Sequence, residues 1–227
     1  MSSANGLIRL ITHWFKPHHT IPRTPWRAHS RWNVAPIRFI ILIFGLAIFG
    51  FGEALLVQSD IGNSPWVVFA EGLSLKTSLS LGWSTFITSC AVLFLWIPLQ
   101  ERIGFGTLAN AIVIPLTLQL GVDHFPLQES MVNGVVVAFC GIALVGIATA
   151  LYISCGLGPG PRDGLMTALH HRTKVRVGRV RLGIEACVVL IGILLGGNAG
   201  LGTILFALFV GQSVAISCGV LARLTAR

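Results

Sequence analysis

The nine residues GLGPGPRDG, Gly156 to Gly164, hold the densest run of glycine and proline in the chain and carry an arginine–aspartate pair. A glycine-rich loop that opens a helix can cradle phosphate, because consecutive backbone N–H groups point at the anion. That chemistry fails here. Pro159 and Pro161 have no N–H, and Arg162-Asp163 stands where a phosphate loop needs Lys followed by Ser or Thr. A helix stop followed by a helix start fits better. Gly158 supplies free backbone angles, Pro161 suits the first helical position, and Asp163 falls in a first turn whose dipole favours an acid. The stretch DIGNSPWVV, Asp60 to Val68, repeats the device with Gly62, Ser64 as N-cap and Pro65. Short helices are predicted over about 65–75 and 161–172. Either loop is a plain turn and cap, or its helix amino end faces an anionic group of a solute.

Two acids, Glu53 and Glu185, fall within apolar runs. Ionisable groups in lipid are costly and usually face the protein interior or a watery path. Hydration at the interface is the simpler reading, and Arg181 offers Glu185 a partner one helical turn away. Asn110, Gln119 and Gln212 are expected to hydrogen-bond between helices, with Asn110 also a candidate ligand. His170 and His171 are adjacent on a helix and point apart, so no shared metal is expected. The five cysteines form no C-x-x-C pair and read as small core residues. No nucleophile–base pair or ligand cluster stands out, so no enzyme activity, cofactor or metal is expected.

The elements that must position these residues are read from composition. Of 227 residues 54% are hydrophobic and 11% charged, with a mean hydropathy of +0.80. A soluble domain carries about 25% charge. Apolar runs long enough to cross a bilayer occur at about Pro36–Val57, Trp83–Leu99, Gly104–Gly121, Met131–Ser154, Leu182–Gly197 and Leu201–Leu221. The expected fold is an all-α polytopic membrane protein of six transmembrane helices.

With alternating spans and a cytoplasmic amino terminus, 15 of the 16 Lys and Arg fall inside and only Lys76 outside. This positive-inside bias predicts cytoplasmic termini in a bacterial inner membrane, and it accounts for the net charge of +8 without nucleic acid. Residues 1–35 form a basic, acid-free arm with no cleavage site after a short apolar core. Leu7–Lys16 suits an interfacial amphipathic helix on the lipid bilayer; a basic tail and an organelle transit peptide are the alternatives.

Sliding the chain on itself by 96 residues, without a gap, pairs Gly62 with Gly158, Pro65 with Pro161, Gly104 with Gly200, Gly106 with Gly202 and Thr107 with Thr203. Each half, about 37–121 and 133–217, holds three spans. The membrane domain, 36–227, is therefore expected to consist of two inverted repeats, each with a short extra helix after its Gly/Pro loop. Secondary transporters recur on that plan, with solute at the repeat interface. Gly192, Gly196 and Gly200, four apart, suit close helix contact within the chain or in a homodimer.

The segments LGPGPRDGLM (157–166), GGNAGLGTILFALFVG (196–211) and RIGFGTLANAIVI (102–114), together with Glu185, resemble the bacterial YczE-like integral membrane proteins, often grouped with the YitT family. The resemblance covers about 37–217. It implies a multi-span inner-membrane protein described as a transporter without a secure substrate. It also implies an acid two residues after the loop proline in each half. Asp163 fills that position in the second half, but Val67 stands in the first, where Glu53 or Asp60 would have to substitute.

These readings converge on a small secondary transporter or exporter of a polar organic solute, an anion among the candidates, by alternating access between the inverted repeats. Gly62, Pro65, Gly158 and Pro161 would set loop geometry. Asp163, Glu185, Glu53 and Asn110 would bind solute or a coupling proton, and Arg162 would attract an anion at the cytoplasmic mouth. The alternative is a non-transporting accessory protein that recruits a partner through its basic face.

Overall fold

The computed structural model describes residues 17, 20–22 and 24–225. The proposed interfacial helix at Leu7–Lys16 lies outside them. Among the described residues the fold is all-helical: α1 (Pro36–Gln58), α2 (Pro65–Thr77), α3 (Leu81–Leu99), α4 (Phe105–His124), α5 (Met131–Ser154), α6 (Pro161–Thr173), α7 (Val177–Leu195) and α8 (Leu201–Thr225). Five of these, α1, α3, α4, α5 and α8, are long and apolar enough to cross a membrane. The sequence expectation was six. The sixth candidate, α7, starts five residues earlier than its apolar run, so its first turns carry Arg179, Arg181 and Glu185. The protein is a polytopic helical membrane protein.

The short helices begin at Pro65 and Pro161, as the Gly/Pro pattern predicts. Gly62 and Gly158 have φ of 113° and 115°, a conformation that L side chains rarely adopt. Helix starts recur at an offset of 96 residues: α2 and α6 coincide at both ends, as do α3 and α7, and α8 starts 96 residues after α4. The matched G-x-G-T segments use one hydrogen-bond pattern. The Gly106 N–H donates to the Leu157 carbonyl at 2.8 Å, and the Gly202 N–H to that of Ile61 at 2.7 Å. The Gly104 and Gly200 N–H groups each reach the hydroxyl of Thr107 or Thr203 at 3.2 Å. Each G-x-G-T thus fixes the Gly/Pro loop of the other half, and a Cβ at Gly106 would press on the Leu157 carbonyl at 3.1 Å.

Helices α1 and α5 pack on each other at the centre, with α4 laid along α1 and α8 along α5. Apolar layers fill these seams: Leu42, Leu46 and Tyr152 in one, Leu56, Val145 and Phe206 in another. Helix α7 packs on α2, where glycines permit close approach. A Cβ on Gly192 would lie 2.7 Å from the Phe69 amide nitrogen, so this part of the small-residue stripe serves a contact within the chain.

The last part of the basic arm is docked. Thr24 Oγ1 donates to the Ser154 carbonyl at 3.1 Å, the Ala28 N–H to that of Cys155 at 2.9 Å, and the Phe105 N–H to that of Arg31 at 3.0 Å. Residues 24–31 therefore tie the α5–α6 loop to the start of α4.

Candidate functional site

A cavity of about 100 Å³ lies between the helices, lined by residues of α1, α3, α4, α5, α7, α8 and the starts of α2 and α6. All five sequence-predicted ligands line it: Glu53, Asn110, Arg162, Asp163 and Glu185. The four loop-geometry residues, Gly62, Pro65, Gly158 and Pro161, sit behind it in the turns that start α2 and α6. Asp60 is exposed and outside the cavity, so of the two substitutes for the missing first-half acid only Glu53 reaches it.

Glu53, one turn before the end of α1, is 1% exposed. A lone carboxylate at that depth is strongly disfavoured unless donors surround it. The Ser64 hydroxyl donates to Oε2 at 2.6 Å, and Arg162 Nη1 lies 3.9 Å from Oε1. Ser64 occupies the N-cap of α2 but makes no side-chain cap bond. A charge-assisted bond is roughly twice as strong as a neutral one, and the buried carboxylate takes the hydroxyl.

Arg162 was expected at the cytoplasmic mouth. Its side chain is 18% exposed and instead reaches across to Glu53, with its guanidinium carbon 5.3 Å from the centre of the Trp66 ring. The buried acid and the aromatic face account for the inward turn.

Asp163, in the first turn of α6, accepts a bond from the Tyr152 hydroxyl at 2.7 Å. Glu185 pairs with Arg181 at 2.8 Å, one turn apart on α7. Three carboxylates, two guanidiniums and two helix amino ends thus meet in one small space. Such a group can hold a charged or hydrogen-bonding solute, or pass a proton between carboxylates.

The lining repeats at the same offset as the helices. Every first-half lining residue has its counterpart 96 residues later in the same wall: Phe49 with Val145, Glu53 with Thr149, Ser64 with Gly160, Trp66 with Arg162, Ser89 with Glu185, Asn110 with Phe206 and Ile114 with Val210. The chemistry is not repeated with the positions. Each pair that holds a charge holds it on one side only.

Sequence reasoning missed Trp66, Tyr152 and Ser89. Tyr152 is the one tyrosine of the chain, set in a long apolar run, and that was a usable signal. Trp66 and Ser89 were findable as the offset partners of Arg162 and Glu185. A second missed network lies outside the cavity, where Glu71 Oε2 accepts from Asn63 Nδ2 and from the Asn198 N–H, each at 2.7 Å, tying the α1–α2 loop to the α7–α8 loop. His170 turns its Nδ1 to the Val175 carbonyl at 2.6 Å, and among the described residues no three potential ligands gather for a metal.

Fold and site together define a helical membrane protein with a buried, charged cavity shared by its two halves. The chain belongs to the family of unknown function DUF6198, which matches residues 36–218. It is 42% identical to an uncharacterized protein of Haemophilus influenzae over 209 residues, 92% of this chain and 96% of that one. It is 31% identical to the uncharacterized membrane protein YczE of Bacillus subtilis over 177 residues, covering 77% and 82% of the two chains. A third relative, YyaS of the same organism, is 24% identical over 173 residues, covering 74% and 86%. The YczE-like resemblance read from the motifs is therefore shown. No solved structure matches.

Proposed function

We propose that this protein is a small secondary transporter of a polar, charged organic solute, working by alternating access between two inverted repeats. The observation that carries the reading is the wall of the cavity, in which every first-half lining residue is matched by the residue 96 positions later. A cavity built this way lies on the axis relating the halves, the one place equally reachable from both membrane faces. In this reading α7 is the sixth span, the halves are α1–α4 and α5–α8, and the Lys/Arg bias sets both ends of the chain on the cytoplasmic face of a bacterial inner membrane. Asp163, Glu185 and Glu53 bind solute or carry a coupling proton, Asn110 contributes an amide, and Arg162 holds Glu53 in place. A thermal-shift screen of small charged solutes on the purified chain, followed by flux in proteoliposomes, tests this. Asp163→Asn and Glu185→Gln chains that insert normally should move any hit far more slowly; unchanged flux would remove these residues from the mechanism.

A second reading has its own observation: residues 171–179 are all exposed and include Arg172, Lys174, Arg176 and Arg179. An accessory protein would recruit a partner through that face. Neutralising Arg172, Lys174, Arg176 and Arg179 would then abolish activity in cells, whereas a transporter would keep most of its flux.

A further inference from the structure

The two halves match in their helix starts but not in how their third helices sit. In α3, Gly82, Ser84, Thr85, Thr88, Ser89, Val92 and Trp96 are all buried. At the same positions of α7 only Gly192, the counterpart of Trp96, is buried. Helix α3 lies along α4, whereas α7 and α8 barely touch. The crossing that holds α3 shows what is absent on the other side. The Gly82 N–H donates to Gln119 Oε1 at 2.8 Å, and a Cβ there would lie 2.8 Å from the Pro115 carbonyl. The counterparts of Gly82 and Pro115 are Gly178 and Gly211, and a Cβ on either would meet nothing within 4 Å. Two glycines, both poor helix formers, thus stand bare at the places where the other half makes its close contact.

The far end of α7 is held. Gly192 packs on α2, and the Gly197 N–H closes back on the Gly192 carbonyl at 2.8 Å. The amino-terminal half, where Ile184 packs on the Trp66 and Leu165 cluster but α8 is barely touched, carries Arg181 and Glu185, both in the cavity wall, with side chains 41% and 15% exposed. Their counterparts Thr85 and Ser89 are 1% and 5% exposed.

We infer that the amino-terminal half of α7 is the gate of the cavity: it folds onto α8, bringing Gly178 against Gly211 and burying the Arg181–Glu185 pair, while its anchored end pivots at Gly192. The structure is then the state closed at α3–α4 and open at α7–α8. The ion pair sets the balance, because burying it carries a desolvation penalty that the neutral Thr85 and Ser89 do not. This inference rests on the alternating-access reading and specifies which element moves.

Cysteine cross-linking of the full chain in proteoliposomes tests it without any solute. A Gly178→Cys/Gly211→Cys chain is oxidised, and the linked peptides are identified by mass spectrometry, which separates them from those of the native cysteines. Phe139→Cys/Phe209→Cys, whose rings face each other across α5 and α8 with centres 5.5 Å apart, reports that each preparation is folded. The gate predicts an intramolecular 178–211 linkage that accumulates with time. It also predicts several-fold faster linkage when Arg181→Thr and Glu185→Ser make α7 resemble α3. No 178–211 linkage alongside an efficient 139–209 control would overturn the gate, as would linkage only between chains, which would assign the gap to a second copy. A missing linkage with intact solute flux removes the gate alone. Linkage in a protein that moves no solute keeps the gate and removes the transport reading.

Discussion

Replacing Arg162 by Met removes the cation 3.9 Å from a carboxylate that is 1% exposed. At an effective dielectric near 20, two unit charges at that distance attract by about 4 kcal/mol. Removing one partner of a buried pair typically costs about 3–5 kcal/mol. The two routes agree, so Arg162→Met should destabilise the chain by about 4 kcal/mol, roughly a 10 °C fall in Tm for a chain of this size. Glu53→Gln should cost less, because Arg162 keeps its Trp66 face and partial access to water. The double variant carries neither charge and should lose about 1–3 kcal/mol less than the sum of the single losses. Thermal unfolding in detergent, followed by tryptophan fluorescence, gives the four corners of the cycle. Additivity within about 0.5 kcal/mol would refute the pairing.

Three further outcomes follow from single contacts. Tyr152→Phe removes the hydroxyl from the Asp163 carboxylate and should cost about 1.5–3 kcal/mol, a loss that nearly vanishes if Asp163 is already Ala. Gly164→Ala drives a methyl into the Trp96 ring and should cost about 1–3 kcal/mol, whereas Gly178→Ala on the bare face of α7 should gain up to about 1 kcal/mol; Tm reads both. Burial pushes the Cys155 thiol, just beyond the end of α5, from 9.0 up to about 11. At neutral pH its thiolate fraction is then roughly 100-fold below that of an ordinary thiol. Maleimide labelling at pH 7.5 should leave Cys155 unmodified until a denaturant unfolds the chain, and should reach it faster as pH rises.

The parts legible in the sequence were those fixed by local backbone chemistry. Gly62-x-x-Pro65 and Gly158-x-x-Pro161 located the start of α2 and α6 to the residue, because a positive φ followed by proline at the first helical position leaves few alternatives. The start of α7 was misread, since hydropathy stops at Arg181 while the hydrogen-bonded helix runs back to Val177. The titratable wall of the cavity was legible because charge is conspicuous in an apolar chain. Trp66 was legible only through its offset from Arg162, and Phe49 was not, because an aromatic that faces a cavity and one that faces lipid have the same pattern in sequence. The direction of Arg162 depended on Glu53, more than one hundred positions away, and no local rule could supply it.

The central claim is that one cavity serves both faces of the membrane. Thr149, the counterpart of Glu53, lines it without carrying charge, and Thr149→Cys places a reporter there. A small membrane-impermeant thiol reagent is applied to one face of oriented vesicles at a time, and modification at position 149 is read by mass spectrometry. Alternating access predicts that position 149 is modified from either face, and that modification from the face of the α7 gate is lost once the Gly178→Cys/Gly211→Cys linkage holds α7 on α8. Modification from one face only, in the unlinked protein, would contradict the account.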